Sequence, residues 1–238
     1  MNNYQFFATK KVSPIAKIIA RILHAKLFIL FQKHFNETGG PILEIGPGQG
    51  SFTKLLTTIP NCRYKGYEPE SLLCKKLQEG GLPVTQTVVP PIPEHDNSFN
   101  AIVLLNVLEH MKGSSVAQYL ASELYRVLSP NGIAFISFPS YLDWKTDFFN
   151  LDYTHSFITT EVNVSQLLID AGFSIEHIGY SYGCFFSDLG RLPNALAKTA
   201  RWLALTLLPR KISRKEKFQK LGILFAENIV LIARKKAK

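Results

Sequence analysis

Residues Ile42 to Gly50 read Ile-Leu-Glu-Ile-Gly-Pro-Gly-Gln-Gly, and no other stretch limits the possible folds so strongly. Ile42, Leu43 and Ile45 form a short apolar run suited to a buried strand. Gly46, Gly48 and Gly50 supply the turn that follows, Pro47 stiffens it, and a helix pattern begins at about Ser51 with Phe52, Leu55 and Leu56. Strand, glycine turn and helix is how a doubly wound sheet presents its backbone to a nucleotide-like ligand, because a Cβ at those glycines would block close approach. The spacing discriminates between ligands. A dinucleotide fingerprint is G-x-G-x-x-G. Here the third glycine comes one residue early, Ser occupies position 51, and Glu44 stands two residues before the first glycine. A purely structural turn is the remaining reading.

The rest of the chain alternates strands with helices. Strands are expected at about 42–45, 63–67, 83–89, 101–105, 133–138, 173–180 and 223–233, and helices over 114–127 and 161–171. With 238 residues the chain is long enough for one α/β domain, and the alternation implies a mainly parallel sheet with right-handed crossovers. Ser13-Pro14 is a good helix start. Ile15, Ile18, Ile19, Ile22, Leu23 and Leu27 then recur at helical spacing, with Lys17, Arg21 and Lys26 on other faces. This basic amphipathic segment packs on the domain, meets a membrane surface, or does both.

Four further stretches appear in order. Glu68 ends the second strand, Asp96–Asn100 leads into the fourth, Val107-Leu108-Glu109-His110 follows it, and Arg126–Gly132 turns into the fifth. Together with the glycine turn, over about residues 40–180, they resemble the class I S-adenosylmethionine (SAM) dependent methyltransferases. That resemblance implies an α/β, Rossmann-like sheet of seven mostly parallel strands with helices on both faces, an N-terminal helix, and a helical insertion before the last strand. It divides the chain into a basic helical segment, 1–36, and a methyltransferase domain, 37–238, with the insertion at 184–220. It implies SAM as cofactor, with Glu44, Gly46, Gly48, Gly50, Glu68, Asn106 and His110 at its pocket. A carboxylate at Glu44 suits the cationic amino-acid end of SAM, and Glu68 suits the paired ribose hydroxyls. The sequence departs from the family in three places. Asn100 replaces an Asp, and Asn131 replaces a Gly but also tolerates positive φ. Val88 or Val89 stands where an acidic residue usually meets the adenine amine.

SAM is already activated, so such a protein supplies positioning, desolvation and, for a hydroxyl acceptor, a base. His155 is the candidate base, since imidazole takes a proton near neutrality. The segment from Asp152 to Phe157 resembles a D-x-x-H stretch found in methyltransferases of bacterial glycan and lipid pathways. The competing reading is a capping or packing histidine. Tyr141, Asp143 and Trp144 line the acceptor pocket or merely form a loop. No cluster with metal-ligand spacing is visible, so no metal is expected. Cys62, Cys74 and Cys184 are sparse and odd in number, which suits small core residues in a reducing compartment.

The net charge is +9, but it is unevenly spread. Residues 1–36 hold six basic and no acidic residues, 37–190 hold eight basic against sixteen acidic, and 191–238 hold thirteen basic against two acidic. An acidic core flanked by basic segments points to an anionic partner. The insertion carries a helix pattern from Asn194 to Leu208 with Trp202, then Pro209, then Arg210, Lys211, Arg214, Lys215, Lys217 and Lys220. An apolar helix beside a polybasic run suits an anionic membrane surface; a lid helix with a solvated basic tail is the alternative. Nucleic acid fits poorly, because no RNA-binding module accompanies the charge. No apolar stretch of about 20 residues suggests a transmembrane helix, and no signal peptide is apparent. The expectation is a cytoplasmic, peripherally bound methyltransferase acting on a glycan or lipid-linked intermediate. A soluble acceptor, such as a quinone precursor or secondary metabolite, is the second reading. A non-catalytic SAM-fold partner subunit is the third.

Overall fold

The computed structural model of the protein describes residues 14–35, 39–150, 152–207 and 225–237, without the side chains of 187 and 188. Lys10, Lys11, Ser13 and the basic run from Arg210 to Lys220 lie outside the described residues, as does the start expected for the last strand at 223.

Helix α1 (Pro14–His34) leads into β1 (Gly40–Ile45), α2 (Thr53–Leu56), β2 (Cys62–Glu68), α3 (Ser71–Glu79), β3 (Val84–Gln86) and β4 (Phe99–Leu105). A 3-10 turn (Leu108–His110) precedes α4 (Ser114–Val127), β5 (Leu128–Pro139), α5 (Tyr141–Trp144), α6 (Asp147–Asn150) and α7 (Glu161–Asp170). The chain continues through β6 (Ser174–Tyr182), β7 (Phe185–Phe186), a second 3-10 turn, α8 (Arg191–Leu207) and β8 (Glu227–Arg234). The sheet order is β3-β2-β1-β4-β5-β8-β6-β7. β1 to β5 run parallel, and β8 is antiparallel to both β5 and β6. These are the seven expected strands plus a two-residue edge strand, too short to show in a sequence pattern.

Both faces of the sheet are covered, which is why its central strands read as continuous apolar runs rather than alternating ones. Leu43, Ile45, Ile102, Leu104, Ala134 and Ile136 face α4 and α7. Ala117, Leu120, Ala121 and Leu124 of α4 recur at helical spacing and are fully buried there. Ile42, Ala101, Val103, Ile133 and Phe135 face the other way and meet Leu27 and Phe31 of α1. The second half of α1 is thus core. Burying a Leu or Phe contributes about 1.5–3 kcal/mol each. Its first turns leave Ile15, Ile18 and Ile22 in solvent.

The helix expected from about Ser51 is realised as the four residues of α2. The β-branched run Thr57-Thr58-Ile59 and then Pro60 end it. β5 begins five residues before its expected start, through an irregular register against β4 between Phe99 and Ala101. Asn131 takes φ +64° in that turn, as its replacement of a glycine requires. In the insertion, α8 begins at Arg191, three residues before the expected start.

Candidate active site

In a doubly wound sheet, ligands gather at the carboxyl edge where the strand order reverses. Here that edge lies between β1 and β4. The glycine turn follows β1, Glu68 ends β2, Asn106 follows β4 and Tyr141 follows β5. All the parallel strands therefore deliver their candidate residues to one edge.

The first half of the site is backbone. Gly46, Gly48 and Gly50 have φ of +70°, +55° and +72°, a region where only glycine is at ease. A Cβ on Gly46 would stand 2.8 Å from Val107, whereas one on Gly48 would project into open space, with nothing nearer than 4.0 Å. Glu68 fixes the turn from the neighbouring strand. Its Oε2 accepts the Gly48 N–H at 2.9 Å and its Oε1 accepts the Glu70 N–H at 3.0 Å. Burial raises its pKa, and the two N–H bonds oppose that shift. Glu44 is wholly buried, and its Oε2 accepts hydrogen bonds from Thr53 (2.6 Å) and Tyr64 (2.7 Å). Burial pushes its pKa up to about 7. These bonds turn that oxygen inward, beneath the glycine turn, where it ties β1 to α2 and β2.

The second half is side chain. Asn106 has φ +57°, its N–H donates to the Ser137 carbonyl at 2.8 Å, and its side chain hydrogen-bonds Glu109. Glu109 is only 1% exposed, and burial pushes its carboxyl up to about 8. Its main-chain carbonyl accepts the N–H groups of Ser156 (2.8 Å) and Phe157 (3.1 Å), which pins the loop after β5 to the turn after β4. That pinning brings His110 and His155, 45 residues apart, to a ring separation of 4.8 Å. His110 Nδ1 lies 2.8 Å from Thr154 Oγ1, and that hydroxyl donates to Asp152 Oδ1 at 2.5 Å. His155 Nδ1 lies 2.6 Å from the Phe148 carbonyl, and its Nε2 lies 3.9 Å from Asp152 Oδ2. Burial lowers both histidines. His110 falls to about 4, helped by His155 and opposed by Asp152, and His155 shifts the same way. Burial thus favours the neutral form of both rings.

Tyr141 packs edge-on against Phe148 and Phe149. The Trp144 indole donates to the Glu227 carbonyl at 2.8 Å, so its N–H already has a structural partner. Helix α8 docks on this side. Asn194 donates to Asp143 Oδ1 at 3.0 Å, Lys198 pairs with Asp143, and Arg201 forks onto Asp147.

A sequence model of a family described as "Methyltransferase domain" matches residues 15–178. The chain belongs to that family. No curated protein sequence matches it. Among solved structures, the chain resembles a Haloferax volcanii protein, described as a methyltransferase in complex with the Trm112 methyltransferase activator. The TM-score is 0.69 and the identity 11%, over all of this chain and 99% of that one. It also resembles the [4+2]-cyclase SpnF, at TM-score 0.60 and 20% identity over 90% of this chain and 81% of that one. A third likeness is to Haemonchus contortus phosphoethanolamine N-methyltransferase 2, seen with phosphomonomethylethanolamine and S-adenosylhomocysteine. There the TM-score is 0.60 and the identity 15%, over 90% of this chain and 53% of that one. At these identities the likenesses establish the fold alone and no substrate; together with the family model they make it the fold of the class I, SAM-dependent methyltransferases.

The residues present fit SAM. A Cβ on Gly48 would occupy the open cradle, and Glu68 stands at the strand end beside it. At the position where the family resemblance puts the adenine, Val88 is 73% exposed while Val89 packs on the core, so Val88 is the side chain with apolar surface to offer. Two contributors escaped the sequence reading. Glu109 stood within Val107–His110 without a role, and Asp152 opened the D-x-x-H stretch of His155 without one. The signal for both was their adjacency to the two histidines.

Proposed function

We propose that this protein transfers a methyl group from SAM to an acceptor oxygen on a glycan or lipid-linked intermediate at a membrane surface. The observation that carries the reading is the buried, neutral histidine pair on the same strand edge as the glycine turn. Bound SAM supplies an activated methyl group on a sulfonium leaving group. In this reading Gly46, Gly48 and Gly50 let the backbone approach the cofactor, Glu68 takes the ribose hydroxyls, Val88 covers the adenine, and Glu44 holds the turn from below. His110 and Asn106 border the cofactor on the β4 side.

His155 is the proposed proton acceptor. Its Nδ1 proton is committed to the Phe148 carbonyl, so the lone pair lies on Nε2. Asp152, 3.9 Å from that nitrogen, would stabilise the imidazolium that forms. Tyr141 and the α8 side would shape the acceptor pocket. The membrane part of the reading is supported by Ile15, Ile18 and Ile22 of α1 and by Leu192, Leu196 and Trp202 of α8, all exposed, together with the basic residues that follow α8 in sequence. No described helix is long and apolar enough to cross a membrane.

A soluble small-molecule acceptor is the second reading, favoured by the phosphobase in the Haemonchus contortus relative. Calorimetric titration with SAM tests the cofactor, and micromolar affinity is expected. Radiolabelled SAM added to a cell lysate then tests the acceptor. Label in the organic-extractable fraction supports the lipid-linked reading, and label confined to the aqueous fraction overturns it in favour of the soluble one.

A further inference from the structure

We infer that Glu109, His110 and His155 form a binding site for one divalent transition-metal cation. Each residue offers one donor atom, and the three atoms lie within 4.8 Å of one another. Two segments 45 residues apart bring them together, so no ligand spacing shows in the sequence.

The surrounding hydrogen bonds orient both rings for this role. The Phe148 carbonyl can only accept, so His155 Nδ1 carries the proton and Nε2 the lone pair. The Thr154 hydroxyl has a single proton and gives it to Asp152. Thr154 Oγ1 therefore accepts from His110 Nδ1 at 2.8 Å, and the Thr154 backbone bonds the same ring, so this residue holds the His110 imidazole in place. Metal-binding histidines characteristically donate their other ring N–H to a carbonyl or to a carboxylate-linked group, fixing tautomer and ring orientation. Here each ring has such a partner. Glu109 supplies the second, independent observation. Its Oε2 is buried with no hydrogen-bond partner among the described residues, while Asn106 bonds the carboxylate. A buried carboxyl oxygen without a partner is costly, and burial favours the protonated form here; a bound cation would displace that proton and give the oxygen a partner.

Two imidazoles and one carboxylate suit Zn²⁺, or Fe²⁺ and Mn²⁺ at a site with several open positions. Ligands about 2.1 Å from a tetrahedral ion stand about 3.4 Å from one another. Closing on the ion from the present spread takes a movement of roughly one ångström. Three protein donors leave at least one coordination position open, the pattern of a reactive rather than a structural site. With the ion bound, the His155 lone pair is a ligand. An acceptor oxygen in the open position is then acidified by the cation instead of by His155.

The full chain, stripped with chelator and dialysed, is titrated with Zn²⁺ by calorimetry and with Co²⁺ by visible absorption. The expected result is one ion per chain, with a Co²⁺ spectrum free of thiolate charge transfer. Glu109→Gln and His155→Ala should each weaken Zn²⁺ at least tenfold, while His177→Ala, on β6 beside His34 and outside the cluster, leaves it unchanged. Circular dichroism confirms that each variant is folded. Failure of the wild-type chain to retain either ion overturns the inference. So does binding that survives both substitutions, or a Co²⁺ spectrum with thiolate bands. SAM titration of the same stripped protein is read separately: loss of SAM binding would count against the proposed methyl transfer, not against the metal site.

Discussion

The two halves of this site are built from different materials. The proposed cofactor half centres on residues 42–68 and consists mostly of backbone: three glycines at positive φ, held by a carboxylate from the next strand, with Val88, Asn106 and His110 at its border. The proposed acceptor half, which shares Asn106 and His110 with it, runs on to residue 155, with α8 docked nearby, and consists of side chains whose partners are far away in sequence. A backbone cradle serves any molecule with the right skeleton. A side-chain cluster serves one kind of chemistry. One fold can therefore carry different reactions, as the likeness to a protein described as a [4+2]-cyclase illustrates.

If the halves are separable, a substitution in one should leave the other's readout untouched. The largest effect is expected for His155→Ala. Whether His155 takes the proton or holds a cation, kcat/KM should fall 10²- to 10⁴-fold, the usual range for losing a positioned proton-transfer group, with SAM affinity within twofold of wild type. A matching loss of SAM affinity would mean that the halves are one unit. Glu68→Ala is the mirror experiment. It removes the proposed ribose contact and the bond that anchors the Gly48 N–H of the glycine turn, so SAM should bind about 100-fold more weakly, equivalent to about 2.7 kcal/mol. Metal titration, if the cluster is a metal site, should not change.

The same contrast explains what the sequence revealed. The turn at Gly46, Gly48 and Gly50 was legible because positive φ and close approach demand glycine at those positions, within one short window. Asn131 was legible for a related reason. The length of α2 was not, because Thr57, Thr58, Ile59 and Pro60 end it immediately. The meeting of His110 with His155 was illegible because it depends on β4 pairing with β5 and on the Glu109 carbonyl holding the following loop. The dual role of Glu44 shows the limit within a single residue. Its position marked the turn, but its inward bonds to Thr53 and Tyr64 depend on β2 lying alongside.

Glu44 gives the third test, on stability rather than activity. Its folded-state pKa of about 7 lies above the ordinary 4.5, so the native state holds this proton more tightly than the unfolded chain does. The contribution to stability is fully present below about pH 4.5 and is lost as pH rises through 7. Glu44→Gln does not titrate. Relative to wild type it should gain roughly 2–3 kcal/mol between pH 4 and pH 8, read from urea unfolding at the two pH values. A constant difference across that range would show that Glu44 is ionised throughout and that the cofactor half tolerates a buried charge.

The smallest effect is expected at α8, and it decides whether the acceptor half has a movable wall. Arg201 and Asp147 are both more than four-fifths buried at the side chain, and the guanidinium makes a two-pronged contact. The Lys198–Asp143 pair beside it is more open to solvent. Partly exposed pairs are worth about 1 kcal/mol and weaken with salt, whereas a forked Arg–carboxylate pair lies at the stronger end. Arg201→Ala should therefore cost the whole fold little, because α8 contributes only Asn194 and Ala197 to the buried set. It should instead raise amide exchange across α8 several-fold. Wild type in 1 M salt should show part of the same increase. SAM affinity should stay constant in both cases, because Asn194, Lys198 and Arg201 of α8 bond to Asp143 and Asp147 rather than to the glycine turn. If α8 forms one wall of the acceptor pocket, KM for the acceptor should rise while kcat falls less. If exchange increases and KM does not move, α8 is packed against the site without shaping it, and the acceptor pocket ends at Tyr141.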